Sequence, residues 1–99
     1  MQLWVVHQER GGPWDWSKDM REQALWDEHA RFMDDLVETG FVVLGGPLAD
    51  GRRVLLIVSA ESEDALRSRF AADPWIANGM LTISTVERWT VLLDGRRDA

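Results

Sequence analysis

The sequence predicts an α+β fold of order β-α-β-β-α-β, a four-stranded antiparallel sheet with two helices on one face. Three observations point there. Residues from about Lys18 to Thr39 repeat their apolar positions at helical spacing. Phe41-Val-Val-Leu44 and Val54-Leu-Leu-Ile-Val58 are apolar runs of strand length with glycine- and proline-rich chain between them, the pattern of a hairpin. Leu66 and Phe70, four residues apart, mark a second helix ahead of a final strand beginning at Leu81. Right-handed crossovers then bring both helices to the same side of the sheet.

Each element follows from its residues. In Gln2–His7, Leu3, Val5 and His7 alternate with Trp4 and Val6, giving a first strand that Arg10-Gly-Gly-Pro13 breaks. Trp14-Asp-Trp16 then places two large aromatics in a loop, a costly exposure unless they cover something. Ser17 is the expected N-cap of the long helix, with Asp19 and Glu22 supplying acid near its first turn. Gly40 is the residue whose left-handed conformation ends it. Within the helix, Leu25, Trp26, Phe32, Met33, Leu36 and Val37 share one face, and Asp27, Glu28, Arg31, Asp34, Asp35 and Glu38 the other. His29 lies among the apolar residues and points into the protein.

The two central runs read as strands buried on both faces, with Gly45-Gly46-Pro47 and Asp50-Gly51 as turn chemistry between them. Two helices cover only one face of the sheet. The other needs a further layer, which a second copy of the chain supplies economically. Ser59 or Ser62 opens the second helix, Asp73 continues the Leu66–Phe70 stripe, and Pro74 makes Asp73 its boundary. Trp75–Met80 is a short irregular or single-turn segment ended by Gly79. Leu81–Leu93 forms the last strand, kinked near Thr85–Glu87, and residues 94–99 form a polar tail. The order is that of the ferredoxin-like split fold.

With 99 residues, a single domain over 1–99 is expected. A hydrophobic content of 45% against 28% charged is that of an ordinary globular protein. The net charge of −6, without any basic block, argues against nucleic-acid partners and against anionic membrane surfaces. The absence of cysteine excludes disulfides, zinc-thiolate sites and thiol chemistry. Met1–His7 lacks the basic start and apolar run of a signal peptide, and no segment has the apolar length of a membrane span. A soluble, cytoplasmic protein is the expectation.

Two residues stand out chemically. His29 is either a hydrogen-bonded core residue or the working group of a pocket, since a neutral imidazole exchanges protons readily at neutral pH. Asp73, at the expected C-terminal end of a helix, faces the negative end of the macrodipole, so local stability does not ask for it. Its local reading is the cap of an Asp-Pro turn, accepting from nearby backbone N–H groups. No serine occupies a nucleophile-elbow context, so nothing in the sequence offers a histidine a hydroxyl to activate. Gly45 and Gly46 form either a tight bulge or a place where a ligand or another backbone approaches closely. The Lys-Ser/Thr and following helix of a phosphate loop are missing.

Of the six tryptophans, Trp26 and Trp75 flank His29 and Asp73 in sequence and are candidates for an aromatic wall against a flat substrate. The others suit core or dimer interface. His7, sharing a face with Leu3 and Val5, lines either core or pocket. No ligand spacing joins His7 and His29 to a carboxylate, so no metal site is expected. Glu22 projects onto the face of His29 from two turns away.

Trp26-Asp-Glu-His29-Ala-Arg-Phe-Met33, Leu36-Val-Glu-Thr-Gly40, Gly45-Gly-Pro-Leu48-Ala-Asp-Gly51, Asp73-Pro-Trp75, Gly79 and Val86-Glu-Arg-Trp89 together resemble the YCII-related family of small ferredoxin-like proteins. The resemblance covers nearly the whole chain. It implies a homodimer of the dimeric α/β-barrel kind, with a His–Asp pair in each pocket that falls on His29 and Asp73. It also implies cofactor-free acid–base chemistry of lyase or isomerase type on ring-derived small molecules. One position departs: many relatives carry an arginine three residues before the histidine, where this chain has Trp26. Arg21, a turn further back, is the nearest replacement. The leading expectation is proton-transfer chemistry by His29 and Asp73 on a compact ring metabolite. The rivals are a non-catalytic binding or interaction module in which the pair is structural, and a cofactor-free oxygenase by analogy of fold.

Overall fold

Residues 2–96 are described by a computed structural model. Its elements are β1 (Gln2–Arg10), α1 (Trp26–Glu38), β2 (Val42–Pro47), β3 (Arg53–Ala60), α2 (Glu63–Phe70), α3 (Pro74–Ala77) and β4 (Leu81–Trp89), with a 3₁₀ turn at Met20–Glu22. The sheet order is β2-β3-β1-β4, and every neighbouring pair is antiparallel. This is the ferredoxin-like α+β arrangement.

β1 sets the layers. Trp4, Val6 and Gln8 point inward, while Leu3, Val5 and His7 are half-buried on the opposite face. Trp4 and Val6 pack with Leu56 and Val58 of β3, Leu36 of α1, and Leu66 and Phe70 of α2. Ser62 caps α2 by accepting from the Ala65 N–H at 3.1 Å. Gly40, at φ 79°, ends α1. Both fulfil the sequence reading.

Three expectations are corrected. The long helix does not begin near Lys18. The buried Gln23 amide ties this stretch into a loop, donating to the Asp15 carbonyl at 2.7 Å and the Lys18 carbonyl at 3.1 Å. Leu25 then takes a left-handed φ of 64°, and α1 starts at Trp26. Such a leucine costs about 1–3 kcal/mol, so the surrounding contacts must hold it.

Gly45-Gly46-Pro47 is not a turn but the second half of β2, paired with Leu56, Leu55 and Val54. β2 is an edge strand, which is where a proline lacking its N–H is tolerated. The turn lies in Leu48-Ala-Asp-Gly51, where Asp50 accepts from the backbone N–H groups of Arg52 and Arg53 and from the Arg53 side chain. These bonds, led by the Arg53 N–H, hold the Asp50 carboxyl well below the usual carboxylate range.

The last strand ends at Trp89, not Leu93. Its irregularity is at Ser84, the residue skipped between the His7–Thr85 and Gln8–Ile83 pairs; the Ser84 hydroxyl donates to the His7 carbonyl at 3.1 Å. Of the expected polar tail, residues 97–99 lie outside the described residues.

Candidate active site

A cavity of about 440 Å³ opens between α1 and the sheet. Trp26, His29, Met33 and Val37 line it from α1, Gln8 and Arg10 from β1, and Val42 to Pro47 from β2. Trp75 and Leu81 close one end. The walls are mainly apolar with a few polar groups, as in small-molecule sites.

His29 has the predicted place on the inner face of α1 and is 9% exposed. Its Nδ1 lies 2.8 Å from Oδ1 of Asp73, which is fully buried. Asp73 is not at the C-terminal end of α2, which stops at Phe70. Ala71 and Ala72 intervene, and Asp73 becomes the N-cap of α3, with Pro74 at the first helical position. A carboxylate here faces the positive end of a short helix, the reverse of the sequence expectation. The same Oδ1 accepts the Trp75 backbone N–H at 3.0 Å. Both readings of Asp73, turn cap and partner of His29, are therefore realised by one oxygen. Its other oxygen, Oδ2, is buried without a partner.

Trp75 fixes the imidazole from its flat side. The two rings stack with centroids 3.8 Å apart and planes 10° from parallel. Trp75 is itself held by its indole N–H, which donates to the Ala24 carbonyl at 2.7 Å, and by an edge contact from Trp14 at 5.0 Å. Trp26 lies 6.0 Å from the His29 ring and 5.7 Å from that of Trp75. Trp26 and Trp75 thus pack around the imidazole, and the loop tryptophan Trp14 covers Trp75. Trp16 stays 53% exposed beneath the Arg52 guanidinium.

With Nδ1–H donating to the Asp73 carboxylate, Nε2 keeps its lone pair, and no described residue hydrogen-bonds it.

Gly45 and Gly46 line the cavity as expected, for different reasons. A Cβ on Gly45 would collide with the Leu56 side chain, whereas one on Gly46 meets nothing within 4 Å. His7 does not reach the cavity. Alternation along β1 sends it to the other sheet face, where Nδ1 lies 3.0 Å from the Thr85 hydroxyl. Glu22, in the 3₁₀ turn, is exposed and outside the cavity. Arg21 is exposed too and lies 5.8 Å from the Trp26 ring. No group of three or more metal-ligating side chains gathers among the described residues.

The cation of the cavity is Arg10, which the sequence reading passed over as the edge of a turn. Its guanidinium sits 4.4 Å over Trp14 and donates to the Gly51 carbonyl at 2.9 Å, and burial lowers its pKa from the usual arginine value. Gln8 was also missed. Its signal was available: it continues the Trp4–Val6 alternation, a polar residue at the next inward position of a strand.

The fold and the cavity together define a small split-fold protein with a buried His–carboxylate pair beside an aromatic-walled pocket. The chain belongs to the YCII-related domain family, whose model matches residues 1–90. No curated protein matches it. Among solved structures it is similar to the 5-chloro-2-hydroxyhydroquinone dehydrochlorinase of Burkholderia phenoliruptrix AC1100, solved in complex with 2,5-dihydroxybenzoquinone. Identity is 23% over 89% of this chain and 93% of that one, with a TM-score of 0.60. The fold is shared at that level of likeness. Among the described residues, no helix is long and apolar enough to cross a membrane.

Proposed function

We propose that this chain is a small homodimeric enzyme that moves a proton on a compact, planar ring metabolite, with isomerase- or lyase-type outcome. The observation that carries the proposal is the His29–Asp73 contact at 2.8 Å, with the imidazole on the wall of the cavity and stacked on Trp75. His29 Nε2 takes a proton from a carbon next to a ring carbonyl. Asp73 holds the tautomer and balances the charge on the imidazolium. Returning the proton at another ring atom is an isomerisation. Loss of a leaving group as the ring electrons reorganise is an elimination, and the proton then leaves to water. Side chains alone carry such steps. The fold neighbour, a dehydrochlorinase solved with 2,5-dihydroxybenzoquinone, supports this class of ligand.

The test is incubation with hydroxylated quinones and chlorinated hydroxyhydroquinones in D₂O, following deuterium entry at ring carbons and chloride release. The expected result is enzyme-dependent exchange or release that His29→Gln lowers by roughly 10²–10⁴-fold while the variant stays folded. An unaltered rate in that variant would refute the acid–base role. Oxygen uptake with these compounds would instead indicate the oxygenase chemistry that dimeric α/β barrels also host.

One observation favours a second reading. Because Asp73 Oδ1 also caps α3, the pair has a structural purpose of its own, as in a binding module without catalysis. Ligand binding without exchange in the wild type would support it.

A further inference from the structure

The sheet side of the cavity carries two polar groups for which the His29–Asp73 pair has no use. Gln8 points inward from β1 and is 2% exposed, and its side-chain amide meets no hydrogen-bond partner among the described residues; Nε2 is wholly buried. Two residues on, and so on the same strand face, Arg10 lines the same cavity. One guanidinium nitrogen donates to the Gly51 carbonyl, but Nε is buried without a partner. Buried polar groups are ordinarily paired, and each exception calls for an explanation. Besides Asp73 Oδ2, the exceptions are two neighbours on one strand, both on the wall of a cavity that is otherwise mostly apolar.

Their chemistry selects the missing partner. A guanidinium has donors and a positive charge and cannot accept, and a neighbouring amide adds N–H donors. What satisfies both is an oxygen that accepts and carries negative charge. We propose that Gln8 and Arg10 form an oxyanion-recognition site for a ring-borne phenolate or enolate oxygen, with the ring lying across the apolar cavity toward His29. This rests on the proton-transfer reading and deepens it. When His29 removes a proton beside a ring carbonyl, the electron pair moves to that oxygen, and preformed donors there stabilise the charge as it develops.

The test compares 2,5-dihydroxybenzoquinone, which ionises in water, with its dimethyl ether, which has the same ring but no ionisable oxygen. Binding is measured by calorimetry and by backbone amide shifts. The wild type should bind the dihydroxy compound at least about tenfold more tightly than the ether, a ratio corresponding to about 1.4 kcal/mol. Gln8→Leu and Arg10→Met should each remove most of that preference, the dihydroxy compound losing far more affinity than the ether. Gln8→Leu deletes an unpaired buried amide, so it is the variant whose folding is safest. His29→Gln should keep the preference. Equal binding of the two compounds by the wild type, or a Gln8→Leu protein that still discriminates, would overturn the assignment. Failure of the catalytic reading looks different: the preference survives, but deuterium exchange is absent or indifferent to His29.

Discussion

Oδ1 of Asp73 contacts both the His29 ring and the Trp75 backbone N–H, so the orientation of the imidazole and the start of α3 are fixed by one atom. The inward place of His29 was legible, because 100° periodicity put it among apolar residues. The partnership with Asp73 was legible only through the family resemblance, since nothing local links residues 44 positions apart. What misled was Pro74. A proline that ends one helix also suits the first position of the next, and the second option prevails here. Gln8 and Arg10 escaped because the first strand was ended too early, at His7, before its inward polar positions. The glycines of the cavity wall make a residue-level prediction. Gly45→Ala should destabilise the protein by about 1–3 kcal/mol, because its methyl group meets the buried Leu56. Gly46→Ala, with open space around its Cβ, should leave stability unchanged or raise it by up to about 1 kcal/mol through the unfolded chain. Urea unfolding of the pair checks this; equal losses would contradict the packing described.

Among the elements, α1 shows where pattern reading succeeds and where it stops. Apolar spacing gave its inner face and Gly40 its end. Its beginning depended on the Gln23 amide gathering the Asp15 and Lys18 carbonyls, a tertiary contact that propensity does not record. Without that loop, a helix running from Lys18 would not leave the Ala24 carbonyl to receive the Trp75 indole N–H. β2 carries the complementary lesson. Gly-Gly-Pro resembles turn chemistry, yet at a sheet edge the same residues are compatible with a strand, and in this chain they form the cavity rim.

For the whole molecule, the topology followed from the order of elements and the rule on crossover hand, with no appeal to any single contact. It leaves the sheet face opposite the helices without a second layer of helix or strand, the segment after β4 lying beside Leu3, Leu44, Ile57 and Trp89 there, with Leu3, Val5 and Ile57 half-buried and Leu44 and Trp89 exposed. In the homodimer we propose, a second copy packed there would account for the apolar character of both central runs. Light scattering should therefore give a mass near twice the 11.3 kDa chain, and Ile57→Glu should shift it toward the monomer. A wild-type mass equal to one chain at micromolar concentration would exclude that arrangement.

The claim on which the functional account depends is that Asp73 holds His29 as the Nδ1–H tautomer, with Nε2 free toward the cavity. Ring ¹⁵N shifts of His29 at neutral pH, recorded with and without 2,5-dihydroxybenzoquinone, measure this directly. The account predicts a protonated Nδ1 and a bare Nε2 whose signal moves when the ligand is added. A protonated Nε2 with a bare Nδ1, unresponsive to ligand, would mean that Asp73 donates rather than accepts and that the pair is structural.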